Sequence, residues 1–140
     1  FYCLADRRRL PRLLLLGFVL MFVVGILDVY GYEGGYWYYP YKIVPFGGFV
    51  SFFDHAPLPV AYMLMYQYFP RWPAFAAAAA IVAALLSFAV EPLLAAMGFY
   101  VLIKWQYHYS FPVYAILPLL TRWLVDAVFA SAWISASFER

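Results

Sequence analysis

Long apolar stretches separated by short polar segments dominate this chain of 140 residues. Four stretches approach the roughly 20 apolar residues, at about 1.5 Å each, that a helix needs to cross a bilayer core of about 30 Å. They cover residues 13–30, 46–69, 74–100 and 110–133. The pattern therefore predicts an all-α fold, a polytopic transmembrane helix bundle with about four spans, in which residues 1–140 form a single membrane domain.

The second stretch is interrupted by Gly47, Gly48, Pro57 and Pro59. A shorter helix over 59–69, preceded by a re-entrant or irregular segment, is the alternative there. Irregular backbone at that depth is tolerated only where protein covers it or where it lines a wet cavity.

Composition supports the membrane assignment, since hydrophobic residues make up 68% of the chain and charged residues only 11%. Ordinary soluble domains have about 25% charged residues. Cys3 is the single cysteine, so the chain has no internal disulfide. Because the sequence begins with Phe1 and not with Met, we expect room for one more span upstream.

Basic residues predict the orientation. The side expected to be cytoplasmic carries Arg7, Arg8, Arg9, Arg12, Arg71 and Arg140, and the opposite side carries Lys42 and Lys104. Both termini are then cytoplasmic in the cell membrane, and the aromatic segment 32–41 lies outside as an interfacial belt, with a ligand-stacking platform as the alternative. No second basic cluster joins the first, so the sequence gives no support to a nucleic-acid partner.

A stripe of small residues along the third stretch predicts close helix packing. Its members recur at steps of three and four: Ala77, Ala80, Ala84, Ser87, Glu91, Ala95 and Gly98. Glu91 is thus predicted to point into the bundle, where a carboxylate needs a partner. Lys104, His108 and a tyrosine hydroxyl are the candidates. On the opposite, lipid-facing side the sequence places Ile81, Leu85 and Phe88.

Three acids, Asp28, Asp54 and Glu91, fall at one depth, roughly 22 to 26 Å from the inner surface when rises of 1.5 Å are counted along each helix. His55 neighbours Asp54, and Lys104 and His108 belong to the outer connections, so these ionisable residues could gather at one level. They form a candidate polar network of Asp28, Asp54, His55, Glu91, Lys104 and His108. A separate inner pair, Arg122 and Asp126, lies one turn apart on the fourth stretch and is predicted to pair within the helix with snorkelling ends. Pro112 and Pro118 are predicted to set the start and a kink of that helix.

Known catalytic and metal-binding patterns do not occur in the sequence. The spacings of His55 and His108 match no ligand signature, and no Gly-x-Ser-x-Gly turn is present. We therefore predict no catalytic residue, no bound metal and no cofactor.

Three ordered motifs carry a resemblance. They are Tyr62 to Pro70, Glu91-Pro92-Leu93, and Lys104 to Pro112. Together they resemble an uncharacterised family of small multi-spanning membrane proteins from spore-forming, Bacillus-like bacteria. The resemblance implies no activity, and it implies that an additional N-terminal span can occur.

Three functions are compatible with these patterns. The leading hypothesis is a non-enzymatic accessory subunit or small homo-oligomer, whose partners are the lipid bilayer and other membrane subunits or further copies of itself. The second is a small transporter or proton-conducting unit that uses the outer carboxylates and histidines. The third is a membrane-embedded enzyme or metal protein at the outer interface.

Overall fold

The computed structural model describes residues 9–40, 57–99 and 101–138, and these residues form an almost entirely helical bundle. Its helices are α1 (Leu10–Glu33), α2 (Pro57–Tyr68), α3 (Trp72–Leu85), α4 (Glu91–Ala96) and α5 (Tyr107–Phe138). A π-helical turn, Leu86–Val90, joins α3 to α4 without a break, and two short strands are β1 (Trp37–Tyr38) and β2 (Val101–Leu102). The predicted all-α class is confirmed.

Three helices in the described part of the chain are long and apolar enough to cross a membrane: Leu10–Glu33, Trp72–Ala96 and Tyr107–Ser131. Each has at least 24 residues, which corresponds to about 36 Å of helix. The molecule is therefore a multi-pass membrane protein. The first, third and fourth predicted spans correspond to these helices.

The second predicted span is only partly described. Its described helical part, α2, has 12 residues, from Pro57 to Tyr68. Residues 46–56 of that span lie outside the described residues. The full span over 46–69 and the shorter helix over 59–69 both overlap α2, so the choice between them stays a prediction.

Helix α5 holds the bundle together, because it packs against α1, α3 and the π turn, while α2 packs against α1 and α3. The core between them contains Leu16 and Leu20 from α1, Tyr62 from α2, Phe75 from α3 and Val125 from α5, all fully buried. Pro112 and Pro118 both lie inside α5, which begins at Tyr107. The prediction that Pro112 sets the helix start is therefore wrong.

The π turn changes which face of the third span is buried. The inward residues are Phe75, Ala79, Ala83 and Ser87, followed by Glu91. Ala77 and Ala80, which the small-residue stripe placed inside, are exposed, so that part of the prediction is wrong. Glu91 does face inward, and the predicted lipid-facing positions Ile81, Leu85 and Phe88 are all exposed by more than half.

The connection after α1 and the connection before α5 are tied together by a small antiparallel sheet in which Trp37 pairs with Leu102 and Tyr38 with Val101. Next to it, the carbonyl oxygen of Tyr36 accepts hydrogen bonds from the backbone of Ile103, Lys104 and Trp105 at 3.0 to 3.3 Å. The segment after α1 is thus held against the segment before α5, and both cover the ends of the membrane helices.

Candidate functional site

Glu91 lies at the centre of a buried hydrogen-bonded cluster between α4 and α5. Its side chain is 6% exposed. The hydroxyl of Ser110 donates to Oε2 and the hydroxyl of Tyr114 donates to Oε1, each at 2.9 Å. Ser110 and Tyr114 are four residues apart on α5 and share one face, so a single helix face supplies both donors. Each carboxylate oxygen is therefore matched by a donor from the neighbouring helix.

A third residue, Trp105, fixes the direction of the hydrogen bonds in this cluster. The indole N–H of Trp105 donates to Ser110 Oγ at 2.8 Å. Because an indole N–H can only donate, the Ser110 hydroxyl oxygen accepts from Trp105. The hydroxyl hydrogen of Ser110 then donates to Glu91. The Tyr114 backbone carbonyl in turn accepts from the Tyr62 hydroxyl at 2.8 Å, which links α2 to the same part of α5.

Asp28 occupies a second buried position near the end of α1. It is 5% exposed, and its Oδ1 accepts from the Tyr39 hydroxyl at 3.1 Å. Trp37 contacts a residue near each acid: its ring packs on Gly31 of α1, where a Cβ atom would overlap it, and meets the Trp105 ring edge-on at 5.1 Å. An aromatic cluster therefore bridges the Asp28 and Glu91 sites.

The six predicted members of the polar network do not behave alike. Asp28 and Glu91 are buried, whereas Lys104 and His108 are exposed on the connection before α5 and at its first turn. The His108 ring packs against Tyr109, with 4.2 Å between ring centroids. Asp54 and His55 lie outside the described residues. Of the three partners considered for Glu91, the tyrosine hydroxyl is the one that contacts it.

The inner pair forms as an intrahelical contact, with Arg122 Nε at 3.6 Å from Asp126 Oδ2. Arg122, however, is only 5% exposed and does not extend to the surface, so the expected snorkelling end is wrong for this residue. Its Nη1 donates to the carbonyl oxygen of Phe69 at 3.0 Å and its Nη2 to that of Pro70. Asp126 accepts from the Tyr66 hydroxyl at 2.6 Å.

Aromatic rings surround the Arg122 guanidinium. Its carbon lies 4.6 Å from the ring centroids of both Trp72 and Phe75 and 5.4 Å from that of Tyr66. A weakly hydrated, planar guanidinium suits this combination of stacking and forked hydrogen bonding better than a lysine ammonium does. Arg122, a residue of α5, therefore holds the turn between α2 and α3 against α5.

Several site residues escaped the sequence reasoning. Ser110, Trp105 and Tyr39 were not singled out, because a hydroxyl or indole in an aromatic-rich segment gives no signal by itself. The four-residue spacing of Ser110 and Tyr114 was the one usable sign. Ser87 was placed inward correctly, and its hydroxyl is buried in the π turn without a hydrogen-bond partner among the described residues.

The chemistry available here is that of acids and hydroxyls. Within residues 9–40, 57–99 and 101–138, no group of three or more His, Cys, Asp or Glu side chains comes together as metal ligands. What the site offers is a carboxylate held by two hydroxyl donors beside a π turn, a feature that is frequent at functional positions in helices.

These observations define the class of the molecule, a multi-pass, all-α membrane protein with buried acids between its helices. No family model, curated protein or solved structure matches the chain. The resemblance to the Bacillus-like membrane family accordingly stays a prediction.

Proposed function

We propose that this protein is a non-enzymatic membrane subunit that associates with other transmembrane helices, either as an accessory subunit of a larger complex or as a small homo-oligomer. The observation that carries the proposal is the outward position of Ala77 and Ala80 on α3. Small side chains at helical spacing let a second helix approach closely in a bilayer, where packing takes the place of the hydrophobic effect.

The buried acids support a structural role. Glu91 accepts from Ser110 and Tyr114, and these contacts join α4 to α5 inside one chain. Such a cluster holds helices in register without any reaction. The outward alanines, in contrast, have large apolar neighbours at Ile81 and Leu85 and can contribute only by packing against lipid or another helix.

We also propose that the protein lies in the cell membrane with both ends of this chain on the cytoplasmic side. Arg9 and Arg12 lie at the start of α1 and line one cavity with Pro70 and Trp72, which flank Arg71 in the turn before α3. Arginines from two places in the sequence thus lie at the same end of the bundle, and this supports the proposal because the positive-inside rule favours the cytoplasm for such an end.

Native purification in a mild detergent tests the assembly. We expect the chain to elute with companion subunits or as a defined oligomer. The double variant Ala77→Leu and Ala80→Leu should reduce this association, because larger side chains keep the partner helix away. Ala127→Leu is the matched control, since Ala127 is an exposed alanine on α5.

A monomeric chain that elutes without partners would contradict the proposal. An unchanged assembly in the double variant would show that the α3 face is not the interface. Loss of assembly in Ala127→Leu as well would point to a general effect of added volume.

A transporter or proton-conducting unit is the second candidate, and the π turn next to Glu91 favours it. Discontinuous helix geometry beside a buried carboxylate is common where ions or substrates bind within a membrane. The test is a flux assay in vesicles, in which Glu91→Gln should abolish proton or ion movement. Vesicles containing the parent protein that show no more flux than empty ones would count against this function.

A further inference from the structure

A cavity of about 410 Å³ opens at the end of the bundle where α1 begins and where α2 turns into α3. Its volume lies within the range of about 300–1,000 Å³ that small-molecule sites occupy. The side chains that determine its character are Arg9, Arg12, Tyr66, Trp72, Arg122 and Asp126. These residues come from α1, α2, α3 and α5, so the cavity depends on the folded bundle.

The charged residues around this cavity favour an anion. Its lining has three arginines and one aspartate, a formal excess of two positive charges. Asp126 already accepts from the Tyr66 hydroxyl at 2.6 Å and faces Arg122 Nε at 3.6 Å. The carboxylate is thus directed at groups inside the protein. The remaining positive charge is carried by two exposed arginines, Arg12 and Arg9, and Arg9 Nη1 also donates to the carbonyl oxygen of Gln67 at 3.4 Å.

Backbone groups add to the positive potential. Helices α1 and α3 both start beside the cavity, with Arg9 and Arg71 as their N-cap residues, and no side chain caps either first turn. A helix N-terminus carries a partial positive charge on its unpaired N–H groups and is a common place for anions to bind. The partial negative charge in the α2–α3 turn is covered, because Arg122 donates to the carbonyl oxygens of Phe69 and Pro70.

We propose that this cavity binds a phosphate group, either the headgroup of an anionic phospholipid or a free phosphate. Guanidinium groups match phosphate oxygens with paired, charge-assisted hydrogen bonds. Basic pockets between membrane helices at the level of the surface are where anionic headgroups bind. The cavity lies within one chain, so binding does not depend on the assembly proposed above.

The test uses the purified full chain in a neutral detergent after lipid removal, with its unfolding midpoint measured against added ligand. A ligand that binds only the folded state raises that midpoint with concentration. Phosphatidylglycerol is compared with monoolein, which has no phosphate. Sodium phosphate is compared with sodium chloride at equal ionic strength.

Arg12→Gln is the diagnostic variant. Arg12 is exposed and its guanidinium lies over the Phe129 ring at 5.1 Å, so a long polar replacement should preserve the fold. Arg71→Gln is the matched control, an exposed arginine at the same end whose side chain is not part of the cavity lining. We expect Arg12→Gln to weaken binding about tenfold or more, which is about 1.4 kcal/mol at 25 °C, and Arg71→Gln to change it by less than about twofold.

The possible outcomes distinguish the two sources of the phosphate group and include results that would refute the proposal. Stabilisation by phosphatidylglycerol alone identifies a lipid headgroup site, and stabilisation by sodium phosphate identifies a site for free phosphate. The proposal is overturned when neither raises the midpoint above its control. It is also overturned when both variants weaken binding equally, because surface charge and not the cavity would then attract the ligand.

Discussion

Replacing Arg122 by Met should destabilise the bundle more than replacing its acidic neighbour Asp126 by Asn. Methionine keeps an unbranched apolar chain against Trp72 and Phe75 but removes the donors to the carbonyl oxygens of Phe69 and Pro70. Hydrogen bonds from a charged group contribute about 1.5–3 kcal/mol each, so the loss of two of them costs about 3 kcal/mol or more. We expect a loss of that size for Arg122→Met.

Asp126→Asn should cost much less, at about 1 kcal/mol or below. The Asp126 side chain is 36% exposed, its contact with Arg122 is a long 3.6 Å, and an amide oxygen can still accept from the Tyr66 hydroxyl. Arg122→Lys should fall between the two, since a single ammonium cannot reproduce the fork that reaches two carbonyl oxygens. The ranking depends on Arg122 acting through the α2–α3 turn and not mainly through Asp126.

The assay is unfolding of the purified chain in mixed micelles with increasing sodium dodecyl sulfate. Circular dichroism at helical wavelengths is the better signal for this transition. Tryptophan fluorescence is less suitable, because the substitution itself removes the Arg122 contact with Trp72 and changes the fluorescence of that ring. Equal costs for Arg122→Met and Asp126→Asn would refute the reasoning, since they would assign the stability to the ion pair alone.

Two further substitutions test the contacts around Glu91 and Trp37. Tyr114→Phe removes the donor to Glu91 Oε1 without a change of shape. It should lower the free energy of unfolding by on the order of 1 kcal/mol, which is typical of interhelical hydrogen bonds in membranes. The control is Tyr109→Phe, at an exposed tyrosine of α5, which should be neutral in the same unfolding assay. Gly31→Ala places a Cβ on the rigid Trp37 ring and should cost about 1–3 kcal/mol by the same measurement, and an unchanged midpoint would show that the ring does not pack against α1.

The membrane helices could be predicted from the sequence because their signal is local and the bilayer fixes their length. A run of about 20 apolar residues has few alternatives in lipid, where every backbone group must be paired within the segment. The turn between α2 and α3 also has a local cause, since Pro70 disfavours a helical backbone at the residue before it, Phe69.

The contacts around Glu91 and Trp37 were less predictable because they join distant parts of the chain. Nothing near Trp37 indicates that it will pair with Leu102, and the ring contact with Trp105 follows from that pairing. Depth counting put Asp28 and Glu91 at a common level. It could not distinguish them from Lys104 and His108, whose exposure is decided by where the connections fold.

The shifted alanine face has a definite physical cause. Counting back from Glu91 at about 100° per residue gives 87, 84, 80 and 77 as the inward positions of a regular α-helix. The π turn Leu86–Val90 adds one residue to a single turn, so the positions before it move back by one. Ala83 and Ala79 are accordingly buried, and Ala80 is exposed.

This explanation predicts opposite results for deleting and inserting a residue in the π turn. Deleting the exposed Ala89 should restore a regular α-helix and leave both Ala83 and Glu91 facing the bundle. Inserting a second alanine after Ala89 should rotate Glu91 by about 100° away from Ser110 and Tyr114. The readout is the cost of Tyr114→Phe in each background, measured by unfolding in mixed micelles. That cost should persist in the deletion variant and vanish in the insertion variant, because only the former keeps the carboxylate within reach of the hydroxyl. A cost that disappears on deletion would mean that the π turn itself, and not the phase of the helix, holds Glu91 in place.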